Sequence, residues 1–440
     1  MSEKQAVVLI HGIGEQKPMS TLRGFVSAVW SSNTAIHHKF AGSAVWSKPD
    51  ALSRSFELRR LTTPQNAAGL RTDFYEFYWA HLLQGTSYGH VLAWARSLLL
   101  RRPSTVPRQL RSLYWVLLGL LGAAMVFLLR AAYLGASGGS TVPPLLSLLC
   151  SFILFPLAGF LVLRVVGDAA RYLHVSPTNI HARHEIRQLG VDLLKELHKP
   201  EHSYSRIVVV GHSLGSVIGY DILTHAWINY HDHTETAPSA PRPMEALDNL
   251  ESLAAEATKD TERVQSAQRL YFEELKTNGC GWLVSDFVTL GSPLAHASIL
   301  LARDSTDLQR KQEDRELPTC LPTLESAVRD GKTVKRFSFE VGRGRRDEHR
   351  LPHHAAVFAP TRWTNLFFPS TAIFWGDPVG GPLKAAMGLG VRDVPVRTSQ
   401  NAGLFSHTRY WSQAKQTTDE THIAALRDAL DLSDRKGLNK

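Results

Sequence analysis

Two kinds of apolar pattern divide the chain. Over most of its length, short runs rich in branched and aromatic residues alternate with stretches of helical periodicity. The runs predict strands at 6–10, 56–61, 73–79, 206–210, 286–290 and 363–368. The periodic stretches predict helices over 20–31, about 178–198, 215–228, 243–277 and 419–432. Strands separated by helices are the mark of an α/β fold in which helices cover a mostly parallel sheet.

The second pattern is confined to residues 112–166. Segments 113–129 (LYWVLLGLLGAAMVFLL) and 145–163 (LLSLLCSFILFPLAGFLVL) carry no charge and lack the polar face of an amphipathic helix. A bilayer span takes about 20 apolar residues, within a range of roughly 17 to 25, and both runs reach it, the first narrowly. Joined through GASGGSTVPP, they predict a two-helix transmembrane hairpin, with a hydrophobic lid on a soluble protein as the alternative. Arg130 is the one charge between the runs, whereas Arg96, Arg101, Arg102, Arg108 and Arg111 precede them and Arg164, Arg171 and Arg183 close or follow them. By the positive-inside rule both termini then lie in the cytoplasm, at the inner membrane if the source is bacterial. Tyr114, Trp115 and Tyr133 fall near the expected interfaces.

Composition narrows this picture without redirecting it. The 440 residues carry a formal charge of +9, but no zinc-finger spacing, RNA-binding signature or long basic run accompanies it, so nucleic acid is excluded as a partner and the charge points to a membrane surface. Three cysteines, Cys150, Cys280 and Cys320, form no paired motif and fit a reducing compartment. The opening MSEKQAVVLIHGIG has too short an apolar run for a signal peptide. The chain therefore divides into one core in two parts, 1–100 and 173–440, interrupted by the apolar insertion 101–172. Polar, charge-dense stretches at 229–281 and 302–350 read as surface insertions.

Candidate chemistry centres on RIVVVGHSLGSVIGYDIL, residues 206–223. A strand, Gly211-His212-Ser213-Leu214-Gly215 and a helix follow one another, so Ser213 would occupy a sharp turn with its hydroxyl at the sheet edge. The flanking glycines leave room for the turn, and the helix N-terminus favours a developing oxyanion. The first strand ends in His11-Gly12-Ile13-Gly14. Oxyanion donors are expected from the backbone N–H of Leu214 and from Ile13 or Gly14. A serine nucleophile needs a histidine base and a carboxylate to orient it. His407, in FSHTRYWS before the last helix, is the favoured base over His296, His353 and His354. Asp377, on the loop IFWGDPVGGPL, is the favoured acid over Asp393 and Asp286, while Asp221 reads as a packing or capping residue.

These stretches resemble the α/β-hydrolase superfamily. Within it, HSLGSVIGYDIL around Ser213, FVTLGSPL at 287–294, DPVGGPL from Asp377 and SHTRYW around His407 resemble the intracellular phospholipase A1 enzymes of the DDHD-domain family. The resemblance implies an α/β-hydrolase fold and a serine acyl hydrolase acting on membrane glycerophospholipid through an acyl-enzyme. Ser213 would be its nucleophile, His407 its base and Asp377 its acid, with no metal and no cofactor. The chain departs from that family in being short, in lacking an Asp-Asp-His-Asp set and in carrying the apolar hairpin. Competing readings are a soluble esterase or thioesterase with a hydrophobic lid, and an inert membrane scaffold. An intact Ser, His and Asp set argues against the scaffold.

Overall fold

The run AVVLI buries side chains on both faces, and that is possible only for a strand flanked on either side and covered above and below. In the computed structural model this run is β1 (Lys4–Ile10), paired in parallel with β4 (Arg71–Phe77) and with β5 (Tyr204–His212). The structure describes residues 3–12, 17–39, 41–53, 55–83, 103, 106, 108–138, 142–162, 172, 177–232, 244–329, 332–341, 349–370, 375–397, 406–412 and 421–434. Around β1 stand β2 (Trp46–Pro49) and β3 (Arg59–Gln65) on one side and β6 (Val284–Leu290) on the other. Two small hairpins follow, β7 (Glu325–Arg329) with β8 (Lys332–Arg336) and β9 (Ser338–Val341) with β10 (His349–Pro352). Strands β11 (Arg362–Phe367) and β12 (Arg392–Pro395) complete an eight-stranded sheet in the order β12-β11-β6-β5-β1-β4-β3-β2. Six neighbouring strands are parallel; at one edge β3 pairs antiparallel with β4, and β2 antiparallel with β3.

From β1 the chain first fills one side of the sheet, working inward from β2 at the edge through β3 to β4, and then crosses to the other side with β5. The order reverses between β1 and β5, and in open α/β sheets the crevice beyond the carboxyl ends of the strands at such a reversal is where ligands bind. Helices cover both faces, giving a mixed α/β architecture. One face is packed by α4 (Pro177–Leu197), α5 (Leu214–Trp227), α6 (Glu245–Ala255) and α7 (Thr261–Thr277), with Val8 and Ile10 of β1 in the same cluster. The other face receives Val7 and Leu9 against α1 (Ser20–Val26) and the C-terminal helix α9 (Thr421–Leu430); α8 (Ser305–Glu313) lies at the surface.

Several elements depart from the sequence expectation for identifiable reasons. The helix expected over 243–277 is two helices, because Ala257 takes a positive φ of 49° and Asp260 caps a new start by accepting from the Arg263 N–H. Both pack on the core through Leu250, Leu253, Ala267 and Tyr271, so the polar stretch 229–281 supplies part of the helical layer. The helix expected over 20–31 is α-helical to Val26 and widens to a π-turn over Ser27–Ser31, where Arg427 donates to the Ala28 carbonyl. The strand expected at 56–61 starts at Arg59, with Phe56 fully in solvent, and bulges before Gln65.

The apolar insertion contains α2 (Arg108–Ala136) and α3 (Val142–Val162), which fold back on each other, the Ser151 hydroxyl donating to the Ala124 carbonyl at 2.8 Å. Tyr114–Ala136, 23 residues with a mean hydropathy of 2.0, is the one helix among the described residues long and apolar enough to cross a membrane; Val142–Leu157 is a shorter apolar helix. By length and composition one helix is a candidate span where the sequence predicts two. Leu129, Tyr133, Leu145 and Phe152 leave their side chains outward.

Candidate active site

Strand β5 ends at His212 and α5 begins at Leu214, so Ser213 alone makes the turn, at φ 53° and ψ −127°. A residue with a side chain in that region is strained, and the surroundings hold it there. The Ser213 N–H donates to Leu290 of β6. A Cβ at Gly215 would lie 2.1 Å from the Ile10 carbonyl, and one at Gly211 would lie 2.5 Å from Ser216 Cα. Only glycine lets α5 start this close to β1. Gly12 faces the turn from the neighbouring strand end, where a Cβ would stand 2.8 Å from Ser213 Cβ.

The loops after β11 and β12 bring two further residues to this point. His407 Nε2 lies 2.7 Å from Ser213 Oγ, and its Nδ1 lies 3.0 and 2.9 Å from the two oxygens of Asp377. A carboxylate only accepts, so Nδ1 carries the proton and Nε2 offers its lone pair to the serine hydroxyl. Asp377 is fully buried and multiply held. Val379 and Gly380 N–H groups donate to Oδ1 at 2.9 and 3.0 Å, and the Tyr410 hydroxyl donates to Oδ2 at 2.7 Å. Burial pushes this carboxyl up, but the His407 ring, with the Gly380 amide and the Tyr410 hydroxyl, more than reverses that and holds it at about 2.

His212 and Ser216, on either side of Ser213, brace the same turn. His212 Nε2 donates to the His407 carbonyl at 2.8 Å, and burial, reinforced by the His407 ring, lowers this imidazole to about 3, so it stays neutral. The Ser216 hydroxyl donates to the Ser213 carbonyl and lies 2.7 Å from Ser292 Oγ. Leu214 N–H sits at the first position of α5, where no intrahelical acceptor exists and the helix dipole is positive. It is one donor for an oxyanion beside Ser213. Ile13 and Gly14, read as the second donor, lie outside the described residues.

The alternates are placed elsewhere. Asp286 is level with Val208, toward the start of β5, and is bound by Arg206 at 3.4 Å and Arg362 at 2.8 Å. Asp393 accepts from the Leu383 and Lys384 N–H groups and from Asn365. Asp221 is engaged by Arg187 and Tyr172 on the outer side of α5. His296 contacts the Pro378 carbonyl but not the serine, His353 is tied to the Thr323 carbonyl, and the His354 ring lies 6.1 Å from that of His353. The sequence reading did not identify Tyr410 or Ser292 as partners. Both stand within stretches singled out by resemblance, and Tyr410 follows His407 by three residues, the only local signal of its role.

The arrangement can pass the Ser213 proton to His407 while Asp377 stabilises the imidazolium that forms, leaving an alkoxide beside the Leu214 N–H. Comparison with protein-family models, with curated proteins and with solved structures returned no match for this chain.

Proposed function

We propose that the protein is a serine hydrolase of carboxylic esters with an α/β-hydrolase fold, anchored to a membrane and acting on lipid. The observation that carries this reading is the unbroken line from Ser213 Oγ through His407 to buried Asp377, at 2.7 and 2.9 Å. The fold assignment is supported by the strand order, with nucleophile, acid and base following β5, β11 and β12.

In the reaction His407 Nε2 removes the proton as Ser213 Oγ attacks the ester carbonyl, and the Leu214 N–H stabilises the oxyanion. The imidazolium then protonates the departing alcohol, and an acyl-serine remains. Water, deprotonated by the same imidazole, attacks the acyl carbonyl and regenerates Ser213 as the acid leaves.

Lipid is the favoured ester because of where the apolar insertion is rooted. β4 ends at Phe77 and α4 begins at Pro177, and the parallel direction of the strands puts the end of β4 on the edge that carries Ser213. An insertion whose apolar helix enters a bilayer would hold that edge at the membrane surface. A panel of short-chain esters and phospholipids with wild type beside Ser213→Ala tests the reading. Hydrolysis by wild type alone is expected, and equal rates for both proteins would contradict it.

A further inference from the structure

One strand beyond the oxyanion strand lies a cleft of about 610 Å³, lined by residues 51–53, 55, 57 and 58, the end of β4 and α4. It adjoins the candidate site through rings. His11, beside Gly12, lies 5.1 Å from Tyr78, and Tyr78 stacks on His81 at 5.7 Å. Because β5, β1 and β4 are successive neighbours, the cleft stands about 10 Å, two strand spacings, from the strand that delivers Ser213.

The described lining of this cleft is opposite in charge to the chain. Glu57, Glu76, Asp192 and Glu196 line it, and His81 is the only basic side chain among the described lining residues. Glu196 is engaged by Lys199 at 2.6 Å and Asp192 by Gln188 at 2.9 Å. Glu76 is different, with 1 % of its surface exposed: Oε2 accepts the Met19 N–H at 2.6 Å, while Oε1 is buried with no partner. Ser53 Oγ, also in the lining, is likewise buried without a partner. Burial pushes the Glu76 carboxyl up to about 7, against the pull of the Met19 amide. A half-satisfied buried carboxylate is costly, and a cationic N–H donor relieves it most effectively.

We propose that this cleft binds the primary ammonium of an ethanolamine-type headgroup on the ester substrate, its N–H groups donating to Glu76 Oε1 and Ser53 Oγ. Glu76 is not part of a metal-ligating cluster: the one such group among the described residues is Glu196, Glu201 and His202. The inference rests on the ester-hydrolase reading and names the substrate class for that site.

The test separates binding from turnover. With the full-length Ser213→Ala chain in neutral detergent, glycerophosphoethanolamine is expected to bind saturably by calorimetry, and glycerophosphoglycerol, which lacks the ammonium, is not. Glu76→Gln keeps an acceptor for the Met19 N–H and removes the charge, so it should weaken that binding about tenfold or more, with a smaller loss in Ser53→Ala. With wild type in mixed micelles, phosphatidylethanolamine should be cleaved about tenfold faster than phosphatidylcholine or N-acetylated phosphatidylethanolamine of the same acyl chains, and Glu76→Gln should abolish the preference. Absence of saturable binding, or unchanged binding and preference in Glu76→Gln, overturns the assignment of the cleft, and the hydrolase reading then stands on turnover alone. Binding without turnover of any ester keeps the cleft and overturns the hydrolase reading.

Discussion

Each proton along Ser213, His407 and Asp377 has one place to be, and that fixes what single substitutions should do. Asp377→Asn keeps the shape of the buried acid but no longer requires the proton on His407 Nδ1, so kcat should fall by about 10⁴ with KM little changed. Steady-state kinetics on a short-chain ester checks this. Acidity adds two separate effects on stability. Asp377 is held below the usual carboxylate range at about 2, so its stabilisation is present above about pH 4 and is lost as pH falls from about 4 to about 2. His212 and His11 are held at about 3 and about 4 by burial. The unfolded chain protonates its histidines below about pH 6.5 while the fold keeps these two neutral, so stability should decline as pH falls from there. Urea midpoints of His212→Gln, whose amide can still donate to the His407 carbonyl, should decline less steeply over that range than those of wild type. Ser213 was legible because glycines and a strand-to-helix change surround it locally. His212 and Tyr410 were not, because their roles depend on bonds to residues 195 and 33 positions away.

At the scale of elements, the site depends on β1, β5 and α5 approaching more closely than side chains permit. Gly215→Ala would press a methyl group into the Ile10 carbonyl, so we expect a loss of about 1–3 kcal/mol in stability and a displaced Ser213. Thermal unfolding checks the first and ester turnover the second. Strands buried on both faces, such as β1 and β5, announce themselves through unbroken apolar runs, AVVLI and IVVV. β12 does not, because Arg392–Pro395 is a short edge strand with half-exposed side chains. The break between α6 and α7 was equally hidden, since the 243–277 pattern stays amphipathic across it and only the cap at Asp260 marks the new start. The sheet order, which brings residues 213, 377 and 407 together, follows from pairings between distant segments that periodicity does not encode.

Across the whole molecule, a cationic chain carries one helix of membrane length among its described residues, in the insertion that follows β4, and β4 ends on the sheet edge of the candidate site. If that helix anchors the protein, it should remain in the membrane pellet after an alkaline carbonate wash, whereas a lid on a soluble protein would be released. The apolar insertion was the most legible large feature, because uninterrupted hydrophobicity needs no tertiary context; which helices cross a bilayer depends on length, and there α3 falls short within its described apolar stretch. The central claim is that Ser213 is an activated nucleophile. Intact-mass measurement after treatment with a fluorophosphonate tests it most directly. A single adduct mapped to Ser213 in wild type, absent from Ser213→Ala and strongly slowed in His407→Ala, is the expected result. A folded wild-type chain that takes up no adduct, or a Ser213→Ala chain that labels as fast as wild type, would contradict it.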